Sequence, residues 1–186
     1  MDQKQIALVA IVIIVAVVVV AIAFFTSRKR RSMKLRERFG PEYDRVLRQE
    51  GDARKAEGVL EFREKRREKF KIRPLPATDK SSFTTRWNEV QARFVDDPRG
   101  ATTVADSLVT EVMQARGYPI GEFEQRAADI SVDHPVVVEN YRAAHEIAMR
   151  HSAGKASTEE LRQAMVHYRV LFQELLDERE TYRKGA

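Results

Sequence analysis

The sequence contains no cysteine. A disulfide scaffold, a thiolate metal site and a cysteine nucleophile are therefore excluded. Its eight glycines are scattered singly, so there is no glycine-rich loop to cradle a phosphate. No GxSxG nucleophile elbow occurs. No stretch alternates polar and apolar residues with period two over a useful length, and no internal repeat is visible. A nucleic-acid partner calls for a groove-reading fold or aromatics placed for stacking. Neither is found, and no nucleic acid is expected. With 186 residues there is room for one domain of ordinary size.

What is present is unevenly distributed. The net charge of +5 is the sum of three unlike zones. Residues 1–25 hold Asp2 and Lys4, which cancel. Residues 26–80 hold 19 Lys/Arg against 10 Asp/Glu, and residues 81–186 hold 13 against 17. An apolar stretch, a basic segment and a mildly acidic segment follow one another.

Ile6 to Phe25 is a run of twenty residues without a polar side chain. As a helix it spans roughly 30 Å, the thickness of a bilayer core. Its fifteen Val, Ile, Leu and Phe residues favour insertion by roughly 5–9 kcal/mol in total. Lipid offers no partners to backbone groups, so a helix is the conformation expected there. A cleaved secretory signal has a shorter apolar core and a basic start, whereas Lys4 is offset by Asp2. Ala21-Ile22-Ala23 imitates a cleavage site but is followed by Phe24 and Phe25. An uncleaved anchor over residues 1–27 is the expectation, with an exported domain cleaved near Ala23 as an alternative. The span has no GxxxG pattern for close helix pairing.

Arg28, Lys29, Arg30, Arg31, Lys34, Arg36 and Arg38 follow the span. Such a bias keeps its flank cytoplasmic. The expected location is therefore the cytoplasmic membrane, single-pass, with the C-terminal part in the cytoplasm. Arg28, Lys29, Arg30, Arg31 and Lys34 are the candidates for contact with anionic lipid headgroups, at about 1 kcal/mol per charge close to the surface.

Residues 28–71 are expected to form a basic juxtamembrane helical segment. Gly40-Pro41 breaks it, with Pro41 suited to a first helical turn. Pairs such as Glu61/Lys65 support a helix, and Val46, Ala53, Ala56 and Leu60 have heptad-like spacing. Arg63 and Arg67 interrupt that seam, and the stretch from Glu61 to Lys71 is expected to be solvated. Residues 72–80, with Pro74 and Pro76, are expected to be an extended linker.

Residues 81–186 predict a separate helical domain, a bundle of four or five helices. Phe83, Trp87, Val90 and Phe94 share one face of a helix over about 82–96. Asp97-Pro98 reads as N-cap and first residue of a second helix, closed at Arg116 by Gly117 and Pro119. A short third helix is expected over about 121–130. A fourth is expected to begin at Asp133-His134-Pro135 and to end near Gly154. Ser157 and Glu160 form a capping box for a fifth, expected to run to about Tyr182.

No cofactor and no catalytic residue is indicated. His145-Glu146 begins like a zinc-binding HExxH, but position 149 is Met149, so two imidazoles do not share a helix face at the required spacing. His145 and His167 are weak metal candidates across two helices, and capping accounts for Asp96-Asp97 and Asp133. The expected role is a membrane-anchored interaction or scaffold domain without evident catalysis, with lipid bilayer and a protein partner or a second copy as partners. The alternative is a tethered enzyme or metal-binding protein using His145 and His167.

Several stretches carry a resemblance: Arg86-Trp87, Val90-Gln91, Phe94-Val95-Asp96, Arg116-Gly117-Tyr118-Pro119, Ser131-Val132-Asp133-His134-Pro135 and Asn140-Tyr141-Arg142-Ala143-Ala144-His145. Together, over about residues 80–178, the chain resembles a family of uncharacterised bacterial proteins that pair one N-terminal span with a small C-terminal helical domain. The resemblance implies bacterial origin and the cytoplasmic membrane. It assigns no activity and no catalytic residue.

Overall fold

The computed structural model describes the backbone of residues 3–177 and the side chains of residues 16–177. Among the described residues there are eight helices and no strand, as the absence of period-two patterning implies. The chain divides into two compact units between Arg38 and Phe39.

The described part of the first unit is helix α1 (Gln3–Phe39) up to Arg38, and the last residue of that helix, Phe39, is counted with the second unit. Where the apolar run ends, the Thr26 hydroxyl donates to the carbonyls of Ile22 and Ala23, and Ser27 donates to Phe24. The first polar side chains are thereby satisfied inside the helix, which continues without a break. Val17, Val18, Val19, Val20, Ile22, Phe24 and Phe25 are all exposed, at 49–67%. Among the described residues no helix is long and apolar enough to cross a membrane. The first half of the expected span, 6–15, lies outside the described side chains.

The second unit starts with a helix pair. α2 (Pro41–Glu50) has its proline in the first turn, after Gly40 at φ 48°. Gly51, at φ 69°, ends it by donating its N–H to the Leu47 carbonyl. Asp52 then caps α3 (Ala53–Arg67), accepting from the N–H groups of Arg54 and Lys55. Tyr43, Val46, Ala56 and Leu60 are no more than 1% exposed. Of the heptad-like set, Ala53 alone is exposed. The seam closes between two short helices joined by a glycine turn, not along one long helix.

Residues 72–80 do not act as a free linker between domains. The two prolines do keep residues 71–76 out of helix, but α4 (Ala77–Arg93) begins directly after Pro76. Leu75 is buried in the core, with Phe70 and Ile72 packed against it. The Arg73 N–H donates to the Arg116 carbonyl at 2.9 Å. Proline sets the backbone here, and three apolar side chains decide where it goes. The division of the chain lies more than thirty residues earlier, at Phe39.

The remaining helices are α5 (Pro98–Arg116), α6 (Phe123–Ile130), α7 (Val138–Ser152) and α8 (Thr158–Leu176). α5 packs on α4, α7 and α8, and α8 also packs on α7. Leu108, Val112 and Met113 of α5 meet Tyr141 of α7 and Tyr168, Leu171 and Phe172 of α8 in one core. Trp87 of α4 stacks on Phe172, with centroids 4.6 Å apart and planes inclined by 21°. Asp97 caps α5 through the Gly100 N–H, and Gly117 ends it at φ 99°. The Ser157/Glu160 capping box opens α8. The expected start of the fourth bundle helix at Asp133 is corrected to Val138, with residues 131–137 in turns. The expected end of the last helix near Tyr182 lies outside the described residues.

Candidate functional site: an arginine–carboxylate cluster

The interruption of the α2–α3 seam by arginines is where the charge chemistry of the protein concentrates. Glu42, in the first turn of α2, is fully buried. A buried carboxylate is costly unless paired and hydrogen-bonded. Three guanidiniums converge on it. Arg45 grips both oxygens, Nε to Oε2 at 2.9 Å and Nη2 to Oε1 at 3.1 Å. Arg63 of α3 donates from Nη1 to Oε1 at 2.7 Å and to the Ser131 hydroxyl at 3.1 Å. Arg142 of α7 donates from Nη2 to Oε1 at 3.2 Å and from Nη1 to Glu124 at 2.7 Å.

Burial by itself pushes the Glu42 carboxyl up. The hydrogen bonds from Arg45 and Arg63, with the charges of Arg142 and Arg45, outweigh that and hold it below its ordinary range. Burial draws Arg63 down from its usual value, against the opposing pull of Glu42. Lys65, Glu68, Lys69 and Lys71 are exposed, but Arg63 is only 8% exposed, so the expectation of a solvated Glu61–Lys71 stretch is corrected at Arg63. The reason is distance along the chain. Its partners Glu42 and Ser131 lie 21 and 68 residues away.

Two more pairs extend the cluster along α3. Arg66 holds the buried Asp129 of α6, Nε to Oδ1 at 2.8 Å, and Gln125 donates to the same oxygen at 2.9 Å. Arg67 donates from Nε to Asp133 Oδ2 at 2.6 Å. That oxygen also accepts from the Tyr118 hydroxyl at 2.6 Å. Burial and the neighbouring Asp133 carboxylate push the Tyr118 hydroxyl far up. Asp133, expected to be a helix cap, is instead a junction between α3 and the loop after α5. The signal was present in the sequence as opposite charge excess in residues 26–80 and 81–186. Part of that excess is spent internally.

An open pocket of 660 Å³ adjoins the cluster, lined by Arg45, Arg48, Gln49, Arg63, Glu124 and Gln125. Three of its six lining residues are arginines.

The sequence-predicted candidates fall elsewhere. Lys29, Arg30, Arg31 and Lys34 are exposed on α1, and Arg28 is half-buried. His145 lies flat on Phe123, with ring centroids 3.5 Å apart and planes at 6°. Burial draws its pKa below the usual histidine value, outweighing the Asp106 charge. His167 Nδ1 pairs with Asn140 Oδ1 at 2.8 Å. His167 is thus hydrogen-bonded, while the enclosed Nδ1 of His145 has no hydrogen-bond partner among the described residues. Among those residues no group of three or more His, Asp or Glu side chains is placed to hold a metal ion. Asp106 accepts from the Tyr168 hydroxyl at 2.9 Å. Asp97 is a cap, as its position before Pro98 implies.

Comparison with protein-family models, with curated proteins and with solved structures finds no match. Those comparisons do not bear on the resemblance described above.

Proposed function

We propose that the chain is a single-pass protein of the cytoplasmic membrane of a bacterium, which presents its helical unit in the cytoplasm as a binding scaffold for a protein partner or a second copy. The observation that carries this reading is the uncharged run from Ile6 to Phe25 followed at once by seven Lys/Arg residues up to Arg38. The exposure of the described half of that run supports it. Seven large apolar side chains between Val17 and Phe25 lack cover from the described residues. They are distributed round α1 and not along one stripe, which suits lipid on all sides better than a single protein neighbour. Arg28, Lys29, Arg30, Arg31 and Lys34 set the orientation and meet anionic headgroups.

Thiol topology tests the reading. The chain has no cysteine, and Ser152 is exposed at the end of α7, so Ser152→Cys supplies one accessible thiol. An impermeant maleimide is expected to label this variant only after cells are permeabilised. Labelling in intact cells would overturn the cytoplasmic placement. An intact mass lacking residues 1–23 would overturn the anchor.

A further inference from the structure

The pocket beside Glu42 has an unbalanced charge. Four guanidiniums line it or bond across its edge, those of Arg45, Arg48, Arg63 and Arg142. Among the described residues Glu42 and Glu124 are the carboxylates paired with them, which leaves an excess of two positive charges. Glu42 is shared three ways and is fully buried, so it has no further capacity toward the pocket. Glu124 is already held by Arg142. Arg48 and Glu124 face solvent, so the enclosed part of the group is Arg45, Arg63 and Arg142 against Glu42 alone. Enclosing an excess of cations is unfavourable unless a counter-charge completes the group. Arg63 is almost fully buried, and the Nε of Arg142 is enclosed without a hydrogen-bond partner among the described residues. Both are signs of a group short of anionic acceptors.

Donors are in place for such an anion. Arg48 is exposed on α2, with no hydrogen bond or ion pair among the described residues. Gln49 accepts from Arg45 Nη1 at 3.4 Å through its Oε1, so its amide N–H groups remain as donors. Guanidinium forks match phosphate oxygens two at a time. A phosphomonoester carries about 1.5 to 2 negative charges at neutral pH and a pyrophosphate group more, so either covers the excess in the pocket. A carboxylate supplies only one.

We propose that this pocket is a binding site for a phosphomonoester or pyrophosphate group, held by Arg48 and Arg45 with Arg63 behind them. The group comes either from a soluble phosphate ester or from the headgroup of a phosphomonoester lipid. The phosphate site itself does not depend on the reading above, whereas the lipid source and the use of nanodiscs rest on its membrane anchor.

The test uses the full chain in nanodiscs, with pyrophosphate as the soluble probe, followed by calorimetry. In phosphatidylcholine discs, pyrophosphate is expected to bind once per chain. Arg48→Ala is expected to weaken it about tenfold, the loss of a charge-assisted pair. Arg54→Ala, an equal loss of charge on an exposed part of α3 outside the pocket, is expected to leave it unchanged. A parallel arm adds phosphatidate to the discs and reads the melting temperature. Stabilisation by phosphatidate that vanishes in Arg48→Ala but persists in Arg54→Ala identifies the lipid headgroup as the source, with or without pyrophosphate binding. The proposal is overturned if neither probe binds. It is equally overturned if both variants lose binding alike, since net charge then accounts for the effect. Arg48 makes no contact that the fold requires, so unchanged melting of unliganded Arg48→Ala keeps the comparison clean.

Discussion

Arg63 Nη1 and Glu42 Oε1 lie 2.7 Å apart across the α2–α3 pair, and the Glu42 side chain is wholly enclosed. Glu42→Ala leaves Arg63, Arg45 and Arg142 without their common counter-charge. The expected loss of stability is about 3–5 kcal/mol, the range for breaking a buried ion pair from one side. Replacing both partners, Glu42→Leu with Arg63→Met, is expected to cost less than the sum of the single changes. Urea denaturation followed by circular dichroism measures both.

The same carboxylate gives stability an acid limit. Its folded pKa is held below its ordinary value of 4.5, because the guanidiniums outweigh the effect of burial. A depressed carboxyl contributes stability that is fully present above the unfolded value. That stability is lost as pH falls through the folded one. Unfolding free energy is therefore expected to drop below about pH 4.5, and less steeply in Glu42→Gln. Equal slopes in wild type and variant over that window would remove Glu42 as the cause.

Gly117 answers two demands at once. Its φ of 99° disfavours any side chain, and a Cβ there would stand 2.5 Å from the Lys71 carbonyl oxygen. The left-handed conformation alone costs an alanine about 1–2 kcal/mol, so Gly117→Ala is expected to lose at least that much. Gly154→Ala, at φ 70° with no atom near the added Cβ, is expected to lose only the conformational part. Paired melting curves separate the two costs.

Trp87 is the protein's one tryptophan. It is 4% exposed and stacked on Phe172, so its fluorescence is expected to shift to the red on unfolding of the bundle. Phe172→Ala removes the stacking partner and opens a cavity, at about 3–5 kcal/mol. The emission spectrum is expected to change even under native conditions. An unchanged native spectrum would argue against the stack.

A fragment starting at residue 72 lacks Arg66 and Arg67 and leaves Asp129, 1% exposed, without its ion pair. It is expected to be at least about 3 kcal/mol less stable than a fragment starting at Phe39. Equal stability of the two would show that α2 and α3 add nothing to the bundle.

What could be read from the sequence was local. Asp97-Pro98, the Ser157/Glu160 box and the Gly117 stop each act over one turn of chain, and each stands where its residues imply. The stripe of Trp87, Val90 and Phe94 marks α4 for the same reason, since a helix repeats its face within four residues. Asp133 looked like another cap, because a cap and a long-range ion-pair partner are written with the same letter. Its real partner, Arg67, is 66 residues away. Arg63 looked solvated because nothing near it in sequence could neutralise it within a buried seam. The prolines at positions 74 and 76 reported the extended backbone up to Pro76, but not the helix that begins at Ala77 or the fate of Leu75 between them. A linker and an extended core segment differ only in whether their apolar side chains find a place to go.

The long reach of these ion pairs also has a meaning in time. Arg67 waits for Asp133 through 66 residues of synthesis, and Arg66 waits for Asp129 through 63. At about 5–20 residues per second, both intervals are roughly 3–13 seconds. Throughout them the nascent basic segment is at its most positive, since the carboxylates that later quench it have not been made. A segment whose charge is strongest during translation and falls once the chain is complete stays solvated until α6 and the turn after it emerge to neutralise it. It then surrenders those same arginines to the finished fold.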